Sequence, residues 1–211
     1  MTAATVGHPM LDHPIIPLAS LRTEAHIDVV GDGLVAAGLP VVEVALRGPF
    51  GLRAIERLAA RGDLLVGAGT VLSVAQAGQA LDAGAEFIVA PELDRDLVQY
   101  VATTGHPVVP GVLTPTEVGA AARLGLTHLK LFPAAAVDAH AMLKAYSEVY
   151  PDVRFMPSAG VNRNTMTEFL SQPTVFAVSG SWITAAAEGG PAAVAAAARD
   201  AIAACRATRP Q

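Results

Sequence analysis

Cysteine, lysine and aromatic residues are all scarce in this chain, and each scarcity excludes something. The single cysteine, Cys205, rules out an internal disulfide and fits a reducing compartment. Of the 14 basic residues only Lys130 and Lys144 are lysine, and the arginines form no basic cluster. Against 19 acidic residues this gives a formal charge of -5, so the footprint that a nucleic-acid partner needs is missing. Six Phe, three Tyr and one Trp leave the core to Ala, Val and Leu. Only 16% of the 211 residues are charged and 52% are hydrophobic, which excludes a disordered or polyelectrolyte chain.

An unbroken apolar span is also lacking. A membrane helix needs about 20 predominantly apolar residues. Three uncharged runs, Leu64–Leu81, Leu97–Thr116 and Phe169–Ala187, reach that length, yet each is interrupted. Gly67, Gly69 and Gln76 break the first, Gly105, Pro107 and Pro110 the second, and Gln172, Pro173 and Gly180 the third. They read as strand, turn and helix. Near the N-terminus His8, Pro9, Asp12, His13 and Pro14 stand where a signal peptide would carry a basic segment and an apolar core. A soluble cytoplasmic protein without a membrane partner is expected.

What the chain does have is short apolar runs at near-constant spacing. They are Ile15–Leu18, Val41–Leu46, Leu64–Ala68, Phe87–Ala90, Val108–Pro110, His128–Phe132, Val153–Met156 and Val175–Val178. Each has the length of a strand, and most contain Val or Ile. Segments of helical periodicity lie between them, for example Arg53–Arg61, Val74–Ala83 and Asp94–Thr103. Several end at glycine: Gly38, Gly62, Gly84, Gly105 and Gly125. Alternating strand and helix demand a parallel sheet covered by helices. Eight such units without a linker predict a compact α/β fold, a (β/α)8 TIM barrel. It forms one domain over 1–211, with a lead-in at 1–13 and a C-terminal helix and tail at 185–211. An open doubly wound sheet is the competing fold. The glycine fingerprint it would favour is absent, because Gly31-Asp32-Gly33 falls inside the first helical segment and lacks the third glycine.

Lys130 interrupts the strand Leu129-Lys130-Leu131-Phe132, where alternation turns Leu129 and Leu131 to the helices and Lys130 and Phe132 inward. Burying an ammonium without a partner costs several kcal/mol, so such a group tends to discharge. A neutral amine beside a carbonyl is a nucleophile able to form a Schiff base. The plainer alternative is a core lysine paired to a carboxylate. The strand Val41-Val42-Glu43-Val44-Ala45-Leu46-Arg47 supplies that acid, since Glu43, Ala45 and Arg47 share one face. Glu43 beside the amine could shuttle protons or form a purely structural pair. Arg47, last on the strand, lies where barrel sites open and suits a substrate carboxylate.

Other strand ends add polar groups. Gly67-Ala68-Gly69-Thr70 closes the third strand with a hydroxyl and exposed amides, and Pro91 follows the fourth. Pro157-Ser158-Ala159-Gly160 and Ser179-Gly180-Ser181 close the seventh and eighth, where barrels commonly bind phosphate on backbone N–H groups. Thr70, Pro91, Phe132, Ser158, Gly160, Gly180 and Ser181 therefore join Arg47 as candidate substrate-binding residues. The histidines His8, His13, His26, His106, His128 and His140 form no i, i+4 pair, so neither a metal nor a cofactor is expected.

These motifs resemble the 2-keto-3-deoxy-6-phosphogluconate / 4-hydroxy-2-oxoglutarate aldolase family of class I barrel aldolases. Gly38 to Arg47 looks like its proton-shuttling Glu and carboxylate-binding Arg motif. Gly125 to Ala134 looks like its Schiff-base Lys motif, and Val66 to Leu72 is similar to a third stretch, in which Thr70 would help hold pyruvate. The resemblance runs from about Pro14 to Trp182 and implies a metal-independent lyase that cleaves a 2-keto-3-deoxy sugar acid such as 2-keto-3-deoxy-6-phosphogluconate, or 4-hydroxy-2-oxoglutarate, to pyruvate and an aldehyde. It also implies a homotrimer. This chain departs from the family at Ala45, where Thr is usual, at Asp138, where Gly is usual, and at Ala159-Gly160, where a Gly pair is usual. The pyruvate half of the site thus carries the resemblance further than the phosphate half. Two other readings stand beside it: a phosphate-binding barrel isomerase or epimerase, and a non-catalytic metabolite-binding barrel.

Overall fold

Apolar residues on both faces of a short segment suit a strand covered on both sides, and the strands of this protein obey that rule. The computed structural model describes residues 7–208; the outer parts of the 1–13 lead-in and the 185–211 tail lie outside them. The first strands are β1 (Ile15–Ala19), β2 (Val41–Ala45), β3 (Leu65–Gly69) and β4 (Phe87–Val89). Then come β5 (Val108–Val109), β6 (Gly111–Val112), β7 (His128–Leu131), β8 (Arg154–Pro157) and β9 (Val178–Gly180). Helices α1 (Ala25–Ala37), α2 (Gly51–Ala59), α3 (Val74–Asp82) and α4 (Arg95–Thr104) alternate with the first five. The later helices are α5 (Pro115–Arg123), α6 (Ala139–Val149), α7 (Met166–Leu170) and α8 (Pro191–Thr208).

All named strand pairings are parallel, as the alternation requires. Together they make a single α/β domain with a curled parallel sheet. Its hydrogen-bonded parts are a six-stranded sheet, β5-β4-β3-β2-β1-β9, and a three-stranded sheet, β6-β7-β8. The segment read as one strand at Val108–Pro110 belongs to both. Pro110 has no N–H to give to a ladder and separates β5, which pairs with β4, from β6, which pairs with β7. Between β8 and β9 there is no ladder, only the bridges Phe155↔Val175 and Ser158↔Ser179. The expected eighth strand accordingly shifts: Val175 makes a bridge, and the ladder with β1 begins at Val178.

Helix packing accounts for other features of the sequence. A Cβ on Gly33 would collide with Val194 of α8 and lie 2.8 Å from the Pro191 carbonyl. The Gly31-Asp32-Gly33 run therefore serves close packing of α1. The five glycines expected to end helices all have positive φ, between 70° and 98°. Among the described residues no helix is long and apolar enough to cross a membrane.

Candidate active site

Glu43 sits mid-strand in β2, between Leu18 of β1 and Gly67 of β3, and is fully buried. Lys130 of β7 lies between Gly111 of β6 and Met156 of β8, and is 5% exposed. Its Nζ is 3.5 Å from Oε1 of Glu43 and 5.3 Å from the centre of the Phe132 ring. The lysine is thus buried, as its apolar strand requires, and it has the carboxylate partner that both readings of it needed. Desolvating such a pair costs so much that apolar replacements of equal volume are often no less stable. Stability alone gives no reason to keep the pair. The pair places an amine, a carboxylate and an aromatic ring at one point, an arrangement able to do chemistry.

Neighbouring residues make room for the carboxylate and hold it. A Cβ on Gly69 would collide with Oε1 of Glu43 and lie 2.7 Å from its Cγ, so β3 must carry glycine there. On the other side Ser179 of β9, also fully buried, donates its hydroxyl to Oε2 at 3.0 Å. Neither residue is singled out for this by the sequence. Ser179 looks like turn chemistry, and Gly69 like a source of free amides; the partner of each lies far along the chain.

The strand-end residues fall at the same mouth. Thr70, directly after β3, has φ 58°, an unusual conformation for a β-branched residue and one that marks functional turns. Pro91, after β4, approaches Gly111 so closely that a Cβ there would overlap its carbonyl. Ser158 is buried and bridges Ser179, which brings the loop at Ala159 (φ 67°) and Gly160 (φ 90°) beside Gly180 and Ser181. A cleft of about 440 Å³, lined in part by Ser20, Arg22, Thr23, Ser181 and Thr184, opens at the ends of β1 and β9. Arg47 is the exception. β2 stops at Ala45 and the Leu46 N–H makes the last bond to β3, so Arg47 lies in the exposed loop just beyond the strand. Among the described residues no ion pair holds its guanidinium.

The departures also have local explanations. Asp138 caps α6 by accepting the Ala141 N–H at 3.0 Å. Ala45 is buried opposite Gly69. Ala159 keeps the left-handed backbone that a glycine would adopt without strain. Among the described residues no group of three or more His, Cys, Asp or Glu side chains could hold a metal ion.

Comparison with known proteins extends this picture. The family model "KDPG and KHG aldolase" matches residues 6–197. A 2-dehydro-3-deoxy-phosphogluconate aldolase of Pseudomonas aeruginosa is 39% identical over 170 residues, covering 80% of this chain and 77% of its own. The crystal structure of the 2-keto-3-deoxy-6-phosphogluconate aldolase of Zymomonas mobilis with 3-phosphoglycerate superposes with a TM-score of 0.86 at 34% identity, covering 90% of each chain. The KDPG aldolase of Legionella pneumophila, with pyruvate captured as a covalent carbinolamine, gives 0.85 at 34% identity over 89% of this chain and 93% of that one.

Proposed function

The chain belongs to the KDPG and KHG aldolase family, and from that premise we infer its chemistry. It is a class I aldolase, a pyruvate-dependent lyase that cleaves 2-keto-3-deoxy-6-phosphogluconate to pyruvate and an aldehyde through a Schiff base. The observation that carries the residue assignment is Lys130 Nζ, buried and facing Glu43 Oε1 at 3.5 Å.

In this reading the Nζ lone pair attacks the C2 carbonyl to give a carbinolamine. Loss of water leaves an iminium. Glu43 takes the proton of the C4 hydroxyl, the C3–C4 bond breaks, and its electron pair moves into the iminium as an enamine while the aldehyde departs. Protonation at C3 regenerates the iminium, and water releases pyruvate and the free amine. Thr70 and Arg47 bind the pyruvyl carboxylate. Arg47 needs only to turn inward from its exposed position, and an unpaired guanidinium is free to do so. Phe132 and Pro91 shape the wall. The loop Ser158–Gly160 with Gly180 and Ser181 receives the phosphate end, a role supported by the Ser158↔Ser179 bridge and by the cleft beside Ser181.

The same reading takes residues 1–211 as one (β/α)8 barrel, closed where Val108–Val112 joins the two sheets and where Ser158 meets Ser179. It takes the assembly as a homotrimer and the location as the cytoplasm. Pyruvate with borohydride tests the chemistry. A stable adduct is expected at Lys130, whose position a peptide map reads directly. No adduct, or one at Lys144 alone, overturns the assignment.

A further inference from the structure

We propose that Ser179 is a positioning residue for the proton transfer, fixing the carboxylate of Glu43 so that one oxygen alone faces the reacting carbon. This rests on the reading of Lys130 and Glu43 as the reacting pair. An ionised carboxylate offers two acceptor oxygens on a terminal torsion with a broad, roughly two-fold profile. In water both oxygens would be solvated, but Glu43 is 0% exposed. The protein divides them instead: Oε2 accepts the Ser179 hydroxyl at 3.0 Å, and Oε1 faces Lys130 Nζ at 3.5 Å.

The donor is itself held from both sides. The Ser179 backbone pairs with Ile16 of β1 and bridges Ser158 beyond the end of β8. Ser179 is 0% exposed and its neighbours Val178 and Gly180 are also buried, so its side chain is packed within the protein. On the third side Gly69 leaves the carboxylate just enough space. Rotating the carboxylate would break the bond to Oε2, so Oε1 becomes the base aimed at the imine formed on Lys130. When pyruvate is bound as that imine, Oε1 takes a proton from C3. The C–H electron pair becomes the C2=C3 bond, and the iminium electrons return to nitrogen. The reverse step in deuterium oxide returns a deuteron, so exchange of the pyruvate methyl protons reports on Lys130 and Glu43 together, whereas borohydride trapping reports on Lys130 alone.

The experiment compares Ser179→Ala, Ser179→Thr and the unmodified enzyme with pyruvate. Trapping at Lys130 is expected to be the same in all three. Methyl exchange in Ser179→Ala is expected to fall on the order of tenfold, as when a catalytic group loses its orientation. Ser179→Thr, which keeps the hydroxyl, is expected to stay within about threefold of the parent. Should the alanine variant unfold, Ser179→Cys, of similar size but a weak donor, serves in its place. Unchanged exchange in the variant without a hydroxyl overturns the proposal. So does a parallel loss of trapping and exchange, which would make Ser179 merely structural, and so does a threonine variant as slow as alanine. Absence of both signals in the unmodified enzyme removes the aldolase assignment itself and this proposal with it.

Discussion

Gly69 of β3 makes room for the carboxylate of Glu43: a Cβ built there would overlap Oε1 and stand 2.8 Å from Cδ. The two residues lie on adjacent strands, with Gly69 opposite Ala45 and Gly67 opposite Glu43. Glycine is therefore a spatial requirement of the site and not a weakness in the strand.

Gly69→Ala should separate folding from catalysis. Gly69 has no positive φ, so alanine fits its backbone, and the added methyl must instead displace the Glu43 side chain. A shift of about 1 Å at a catalytic group costs roughly 100-fold in rate. The expected result is a cooperative urea unfolding curve with stability lowered by about 1–3 kcal/mol through overpacking, and kcat reduced by about that factor. Activity within threefold of the parent would show that Glu43 does not need its present position.

Much of this arrangement was legible in the sequence, because buried charge on a strand is rare enough to be read. Glu43 between Val42 and Val44, and Lys130 between Leu129 and Leu131, point inward by alternation alone, and the structure brings them into one ion pair. Other features depended on contacts that no local pattern carries. Nothing in Val178-Ser179-Gly180 reveals that the hydroxyl meets a side chain 136 residues earlier. Strand ends depart from the apolar runs for a related reason. Apolar runs report burial, whereas a ladder needs paired N–H and C=O groups. Pro110 cannot supply that N–H, and Val175 reaches only a single bridge. Arg47 shows the limit of alternation: the pattern continues to it, but the last bond to β3 is the one that the Leu46 N–H gives to the Gly69 carbonyl.

Ala159→Gly should stabilise the protein. Ala159 holds φ 67°, where a Cβ crowds the backbone at a cost of about 1–2 kcal/mol. Glycine removes that strain but adds about 0.5–1 kcal/mol of unfolded-chain entropy. The net expected gain is about 0.5–1 kcal/mol, or a rise of roughly 1–4 °C in Tm for a chain of this size. The loop geometry that receives the phosphate end should be unchanged, because its shape is already the one glycine prefers. A Tm equal to or below that of the parent would mean that the Ala159 methyl makes contacts worth as much as the strain.

Acid should weaken the fold through its half-buried histidines. Burial lowers the pKa of His8, assisted by the neighbouring His106. It lowers that of His13 against the opposing pull of Asp12, and that of His128 together with the nearby Arg154. An unfolded histidine protonates at about pH 6.5, whereas these three resist until lower pH when folded. Below that value the unfolded chain thus binds more protons, so stability should be full above about pH 6.5 and decline as the pH falls toward the folded values. His128 is the most informative of the three, since its ring lies 4.9 Å from that of Phe176, a contact a phenyl ring keeps while giving up the hydrogen bond between Nδ1 and the Thr127 hydroxyl. Urea midpoints measured from pH 7.5 to 5 should fall for the parent, and more gently for His128→Phe. Identical slopes would show that His128 titrates alike in the folded and unfolded chain, and midpoints that rise on acidification would reverse the sign of the whole argument.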